Sequence, residues 1–158
     1  MNDNRVIRLK GVSIYHADDP FGSYPPERLV RDGELILSDI DLEVHEGEFV
    51  YLIGRVGSGK SSLLKTLYAE LQLLQGEGEV VGFDLRCLRR KDIPYLRRRI
   101  GIVFQDYQLL TDRNVFLNLY DVMRATGWKE EAAIRKRIDE VLQLVQLENK
   151  SYKMPFEL

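Results

Sequence analysis

The window Gly54-Arg55-Val56-Gly57-Ser58-Gly59-Lys60-Ser61 fits G-x-x-x-x-G-K-[ST] and constrains the chain more than any other stretch. Five apolar residues, Phe49 to Ile53, precede it. A helical pattern with Leu63, Leu64, Leu67, Tyr68 and Leu71 on one face follows. The expected context is therefore buried strand, glycine-rich loop, helix. Such a loop points successive backbone N–H groups and the positive end of the helix at phosphate oxygens. A side chain at Gly57 or Gly59 would obstruct that approach. In this reading Lys60 reaches the β- and γ-phosphates of a nucleotide, and the Ser61 hydroxyl ligates Mg²⁺.

Around this motif the chain reads as one soluble domain. It has 158 residues, 44% apolar and 30% charged, with net charge -2. Near-neutrality argues against broad electrostatic binding of nucleic acid. The amino terminus is polar, and no apolar run approaches the roughly 18 residues of a membrane span. The single cysteine, Cys87, excludes an internal disulfide and is read as a small apolar residue rather than a reactive thiol.

Val6 to Tyr15 reads as a first strand, and Ala17 to Gly33, rich in Pro, Gly and Asp, as a surface loop. Ile40, Leu42 and Val44 alternate with Asp39, Asp41 and Glu43, which predicts a strand with one wet face rather than a metal site. Glu79 to Leu85 reads as a short strand of a hairpin edge. Seven basic residues lie between Arg86 and Arg99, around a short helix beginning near Asp92. They read as a solvated face ahead of a docking patch.

Ile100 to Phe104 is the second continuous apolar run, expected to be a strand whose polar end, Gln105, shares the ligand crevice with Ser61. Val115, Phe116, Leu119, Val122 and Met123 mark a helix closed by Gly127. Ile134, Ile138, Val141, Leu142 and Val145 mark another that begins at Glu130-Glu131. Tyr120 and Trp128 are expected to pack rather than to bind ligand.

Taken together, these residues resemble the nucleotide-binding subunits of ATP-binding-cassette (ABC) proteins, from Val6 to Leu158. The resemblance rests on Gly47-Glu48, the loop itself, Gln105 and the helical segment after it. Within the family, Tyr95 to Val115, and above all Leu109-Leu110-Thr111-Asp112-Arg113-Asn114-Val115, is most similar to the cell-division type FtsE. The lipoprotein-releasing type, LolD, shares much of the pattern. The implied fold is an α/β P-loop NTPase of ABC type, with a β and P-loop portion over 1–110 and a helical subdomain over 111–158 of a single partial domain.

The resemblance also implies a site. Gly54, Arg55, Val56, Gly57, Ser58, Gly59, Lys60, Ser61 and Ser62 would hold ATP and Mg²⁺. Gln105 would touch Mg²⁺ and the attacking water, and Tyr15 would stack on adenine, with Phe21 or Tyr24 as competitors. It further implies a homodimer closed through ATP, a polytopic membrane subunit of FtsX type, no nucleic-acid partner, and a cytoplasmic location on the inner face of the membrane. The chain stops where the family continues into its signature motif, so the resemblance implies an amino-terminal fragment without the catalytic glutamate and inactive in hydrolysis by itself. The intact protein would be an ATPase. A nucleotide-gated scaffold without essential turnover is the alternative.

Overall fold

The first strand, β1, runs from Arg5 to His16 and is paired on both sides. In this computed structural model, which describes residues 4–17 and 24–158, β1 pairs antiparallel with β2 (Glu34–His45) through Leu9↔Leu42 and Val12↔Ile40. On its other side it meets β3 (Gln75–Val80) through Ile7↔Val80, and β3 turns back into β4 (Phe83–Asp84). The order is β2-β1-β3-β4. The central position buries Leu9, Val12 and Ile14, which are 2%, 0% and 1% exposed. Strict alternation breaks near Gly11, where the register shifts and Asp41 accepts a hydrogen bond from the Gly11 N–H at 2.7 Å. Asp39, Asp41 and Glu43 are exposed, as their alternation predicts.

Among the described residues, three helices complete the unit Met1–Gly101. The first, α1 (Pro26–Asp32), lies in the segment expected to be a loop. Its turn-forming residues concealed a short helix: Pro26 occupies the first turn, where a missing N–H is harmless, and Leu29 is buried at 5%. The second, α2 (Lys60–Leu67), starts immediately after the glycine-rich loop and buries Leu63 and Thr66, whereas Leu64 faces out at 51%. Its end is a Schellman turn: Ala69 adopts φ 56°, with Glu70 N–H donating to Lys65 O at 2.8 Å and Ala69 N–H to Thr66 O at 3.1 Å. The Tyr68 and Ala69 carbonyls accept from Arg97 at the end of α3 (Ile93–Arg97), at 3.0 and 3.2 Å. Leu63, Leu73, Leu85, Ile93 and Leu96 close over the β1 side chains to form the core.

The two apolar runs expected to be strands do not pair. Phe49, Tyr51 and Ile53 are 81%, 77% and 88% exposed, and Val103 is 88% exposed. A strand exists only when its N–H and C=O groups find a neighbouring backbone. The four paired strands all come from 5–45 and 75–84, so these runs remain without a ladder among the described residues. Cys87 also differs from expectation: it is exposed, and its hydrogen bond to the Asp84 carboxylate raises the thiol pKa, which works against thiolate reactivity.

The unit Ile102–Leu158 is a helical hairpin. Asn114 caps α4 (Val115–Ala125) by accepting from Leu117 N–H at 2.8 Å. The Val115 and Phe116 N–H groups are taken up by Lys153 O and Ser151 O, both at 2.8 Å. Gly127, at φ 102°, ends the helix, with Trp128 N–H reaching back to Met123 O at 3.1 Å. From α5 (Glu131–Leu144), Ile134, Ile138 and Leu142 bury against Val115, Phe116, Leu119, Tyr120 and Met123 of α4. Tyr120 stacks on Phe116 with 5.9 Å between centroids and donates to Glu131. Val145, expected on the apolar face, is 57% exposed because α5 has already ended.

Candidate functional site

The site is built where the chain leaves the exposed run 49–53 and enters α2. Upstream, the turn at His45–Glu48 is tied by the Glu48 carboxylate, which accepts from His45 N–H at 2.7 Å and is held below the usual carboxylate pKa by that bond. The loop then makes a tight turn, with Ser58 N–H donating to Arg55 O at 3.2 Å. Gly57 and Gly59 take φ 78° and 84°, in the left-handed region that side chains disfavour. A Cβ at Gly59 would also stand 2.8 Å from Leu37 Cγ, so β2 packs directly against the loop. At Gly57 a Cβ would meet nothing within 4 Å, which leaves the space over the loop open.

Lys60 is the first residue of α2, and its ammonium folds over the loop. Nζ donates to Gly54 O at 2.9 Å and to Arg55 O at 2.6 Å, and lies 3.5 Å from Ser58 Oγ. Among the described residues the N–H groups of Gly57, Gly59, Lys60, Ser61 and Ser62 have no acceptor, and Val56 at the loop tip is wholly exposed. Five amide donors, an ammonium and a helix N-terminus thus share one short stretch. That combination suits an anion with several oxygens. Ser61 is exposed beside it, whereas Ser62 is buried, and its carbonyl accepts from Thr66 Oγ1 at 2.9 Å. The donor set fits a phosphate chain, and the exposed Ser61 hydroxyl fits a hard cation such as Mg²⁺ beside it.

The aromatic residues distribute less simply. The Tyr15 hydroxyl donates to Gln75 Oε1 on β3 at 2.8 Å. The next residue, His16, has its Nε2 3.5 Å from Ser62 Oγ, beside the first turn of α2. Successive residues on a strand project to opposite faces, so only one of the two can face the loop. Sequence reasoning missed His16, and the signal that could have found it was this alternation at the strand end. Tyr24 is 45% exposed, with the Arg28 guanidinium 3.9 Å from its ring centroid. Phe21 lies outside the described residues. Gln105 belongs to the other unit, exposed in the turn 105–108.

Comparison with known proteins gives a consistent picture. Residues 37–157 match the ABC transporter family. The chain is 39% identical over 127 residues to the cell division ATP-binding protein FtsE of Streptococcus pneumoniae, an alignment that covers 80% of this chain and 55% of that protein. The methionine import ATP-binding protein MetN of Carboxydothermus hydrogenoformans is 37% identical over 136 residues, covering 86% of this chain and 39% of that protein. The chain therefore spans about half the length of the FtsE relatives it matches. Among solved structures, a dimeric ATP-binding cassette in a post-hydrolysis state with ADP and Pi superimposes at a TM-score of 0.76 with 26% identity, over 96% of this chain and 62% of that one.

Proposed function

This chain belongs to the ABC transporter family, and from that premise we propose that it is the MgATP-binding portion of an ATPase subunit of FtsE type that works with a membrane subunit of FtsX type in cell division. The observation that carries the reading is the Lys60 ammonium seated on the Gly54 and Arg55 carbonyls at the head of α2. Phosphate oxygens would replace those neutral carbonyl acceptors by anionic ones, so that both donor and acceptor carry charge, which makes the contact stronger. Residues 54–62 hold the triphosphate, Lys60 neutralises its terminal oxygens, and Ser61 ligates Mg²⁺ as the Walker A loop does. Gln105, as the Q-loop residue, reports the state of the site to the membrane subunit. Mg²⁺ held by Ser61 would supply charge neutralisation to the phosphate oxygens. Backbone donors and Lys60 orient the same phosphates for attack by water, and that positioning is the main contribution such a site makes.

In this reading 1–110 is the β and P-loop portion and 111–158 the helical subdomain of one partial nucleotide-binding domain, a functional division that falls a few residues after the boundary of the two compact units at Gly101 and Ile102. The full-length protein would dimerise through ATP and sit on the cytoplasmic face of the membrane. No helix among the described residues is long and apolar enough to cross a membrane, and the proposed attachment is through the partner. Either Tyr15 or His16 serves as the ring beside adenine. His16 is favoured by its place next to Ser62, because Tyr15 is held toward β3 by Gln75.

Titration with a fluorescent MgATP analogue tests the reading. Lys60→Ala removes the charge-assisted contact and should weaken binding by about 10- to 100-fold, the equivalent of roughly 1.5–3 kcal/mol. Unchanged affinity would refute the loop as the nucleotide site. Replacing His16 or Tyr15 by Ala then identifies the stacking ring by which loss raises Kd for ATP more than for inorganic triphosphate. A membrane subunit that functions with a nucleotide-binding but non-hydrolysing variant would turn the motor into a gated scaffold.

A further inference from the structure

The segment from Arg86 to Arg99 carries seven basic side chains and one acidic one, in a chain whose net charge is -2. Its apolar residues point inward, with Ile93 and Leu96 only 8% and 0% exposed, so the basic residues are displayed on a fixed support. Three of the seven are occupied by the protein itself. Arg86 donates to Gly76 O at 3.2 Å, Arg89 pairs with Asp92 at 2.7 Å, and Arg97 holds the carbonyls at the end of α2. Arg90, Lys91 and Arg99 are exposed and have no acceptor among the described residues. Beside them Tyr95 is 57% exposed, with the Arg98 guanidinium 5.3 Å from its ring centroid.

We propose that this face is a contact surface for an anionic lipid bilayer, with Arg90, Lys91 and Arg99 meeting headgroup phosphates and Tyr95 at headgroup depth. A bilayer is approached by one face of a protein. The one acidic residue of the segment, Asp92, is already paired with Arg89, which leaves the segment with a net positive charge. A nucleic acid needs a basic track with several stacking rings, and here a single ring stands among the cations. Lipid headgroups are mobile and require no preset geometry, which suits exposed side chains without ordered partners. Each cation near an anionic leaflet raises affinity about fivefold, and a ring such as Tyr95 favours the membrane–water interface. The inference goes beyond nucleotide binding. Only the choice of lipid over an acidic protein leans on the proposed station beside a membrane subunit.

Co-sedimentation of the full chain with vesicles tests it. Binding to phosphatidylcholine vesicles containing phosphatidylglycerol should exceed binding to phosphatidylcholine alone, and should fall with salt as the Debye length contracts to about 3 Å at 1 M. The variant Arg90→Gln, Lys91→Gln, Arg99→Gln should lose about 100-fold in partitioning to the anionic vesicles, three steps of about fivefold. Its MgATP affinity should stay at the wild-type value, which separates this proposal from the nucleotide reading. A control that neutralises Lys10, Lys129 and Lys150 should lose far less. Equal binding to both vesicle types, or equal losses in the two triple variants, overturns the proposal. So does a patch variant that keeps its vesicle binding but loses affinity for a single-stranded oligonucleotide.

Discussion

The β1–β4 sheet and the run Phe49 to Ile53 are both rich in apolar and aromatic residues, yet the first holds the core and the second lies exposed. In the sheet, β2 returns along β1 after α1, and β3 and β4 form a hairpin on its other edge. Nearness in the chain does not decide this, because β3 pairs with β1 through Ile7↔Val80 across β2 and α2. Phe49 to Ile53 has the composition of a buried strand, but no neighbour among the described residues offers it a ladder. Apolar composition therefore states a demand for burial, and pairing decides whether the demand is met.

The largest expected effect widens that contrast. Leu9→Ala, at a site 2% exposed between β2 and β3, should cost about 2–5 kcal/mol in chemical denaturation. Tyr51→Ser, at 77% exposure, should leave stability within about 0.5 kcal/mol. It should also reduce aggregation of the 158-residue chain, because an unpaired apolar strand templates association. Light scattering on the two chains would decide this, and equal aggregation would show that the run is not the sticky element.

Gly59→Ala comes next in size. It places a Cβ 2.8 Å from Leu37 Cγ at φ 84°, and should cost at least about 1–2 kcal/mol while abolishing measurable nucleotide binding. Preserved affinity would show that the loop tolerates a shifted backbone.

Smaller effects sharpen the comparison at helix ends. The α2 and α5 helices close on left-handed Ala69 and Gln146, at φ 56° and 59°, where α4 uses Gly127. Gln146→Gly should raise stability by up to about 1 kcal/mol, less the entropy that glycine adds to the unfolded chain. Ala69→Gly should gain less, because Ala69 is buried and its methyl packs in the core. Thermal melts would rank the two.

The smallest effect is confined to alkaline pH. Burial and the hydrogen bond to Glu70 push the Tyr68 hydroxyl up to about 12. The folded state then holds its proton more tightly than the unfolded chain, whose tyrosine ionises near 10. The stability contribution is complete below pH of about 10 and is lost as pH rises toward about 12. Tyr68→Phe should flatten that part of the stability profile. An unchanged slope would assign the alkaline loss to other groups.

Much of the site was legible in order along the chain. The 54–61 motif required a loop ahead of a helix, and α2 does begin at Lys60. The wet face of β2 and the helices α4 and α5 follow from alternation or helical spacing, both of which are local properties. The expected single strand from Glu79 to Leu85 is instead the end of β3 (Gln75–Val80), a turn, and β4 (Phe83–Asp84). The hidden helix α1 was not legible, because Pro25-Pro26 reads as a turn until Leu29 is seen to be buried. The choice of His16 beside Ser62 and Tyr15 beside Gln75 was equally hidden. Adjacent strand residues look interchangeable until both faces of the strand have neighbours.

The sequence by itself determined the family, the phosphate-suited loop and the periodic faces of the helices. Each of these depends on residue type at fixed spacing along a short stretch. Only the tertiary structure decided which apolar runs become strands, which of the cations from Arg86 to Arg99 are used up inside the fold, and where the Lys60 ammonium rests. Those outcomes depend on partners distant in the chain: a ladder requires a second backbone, and an ammonium takes the nearest acceptors that the folded loop presents.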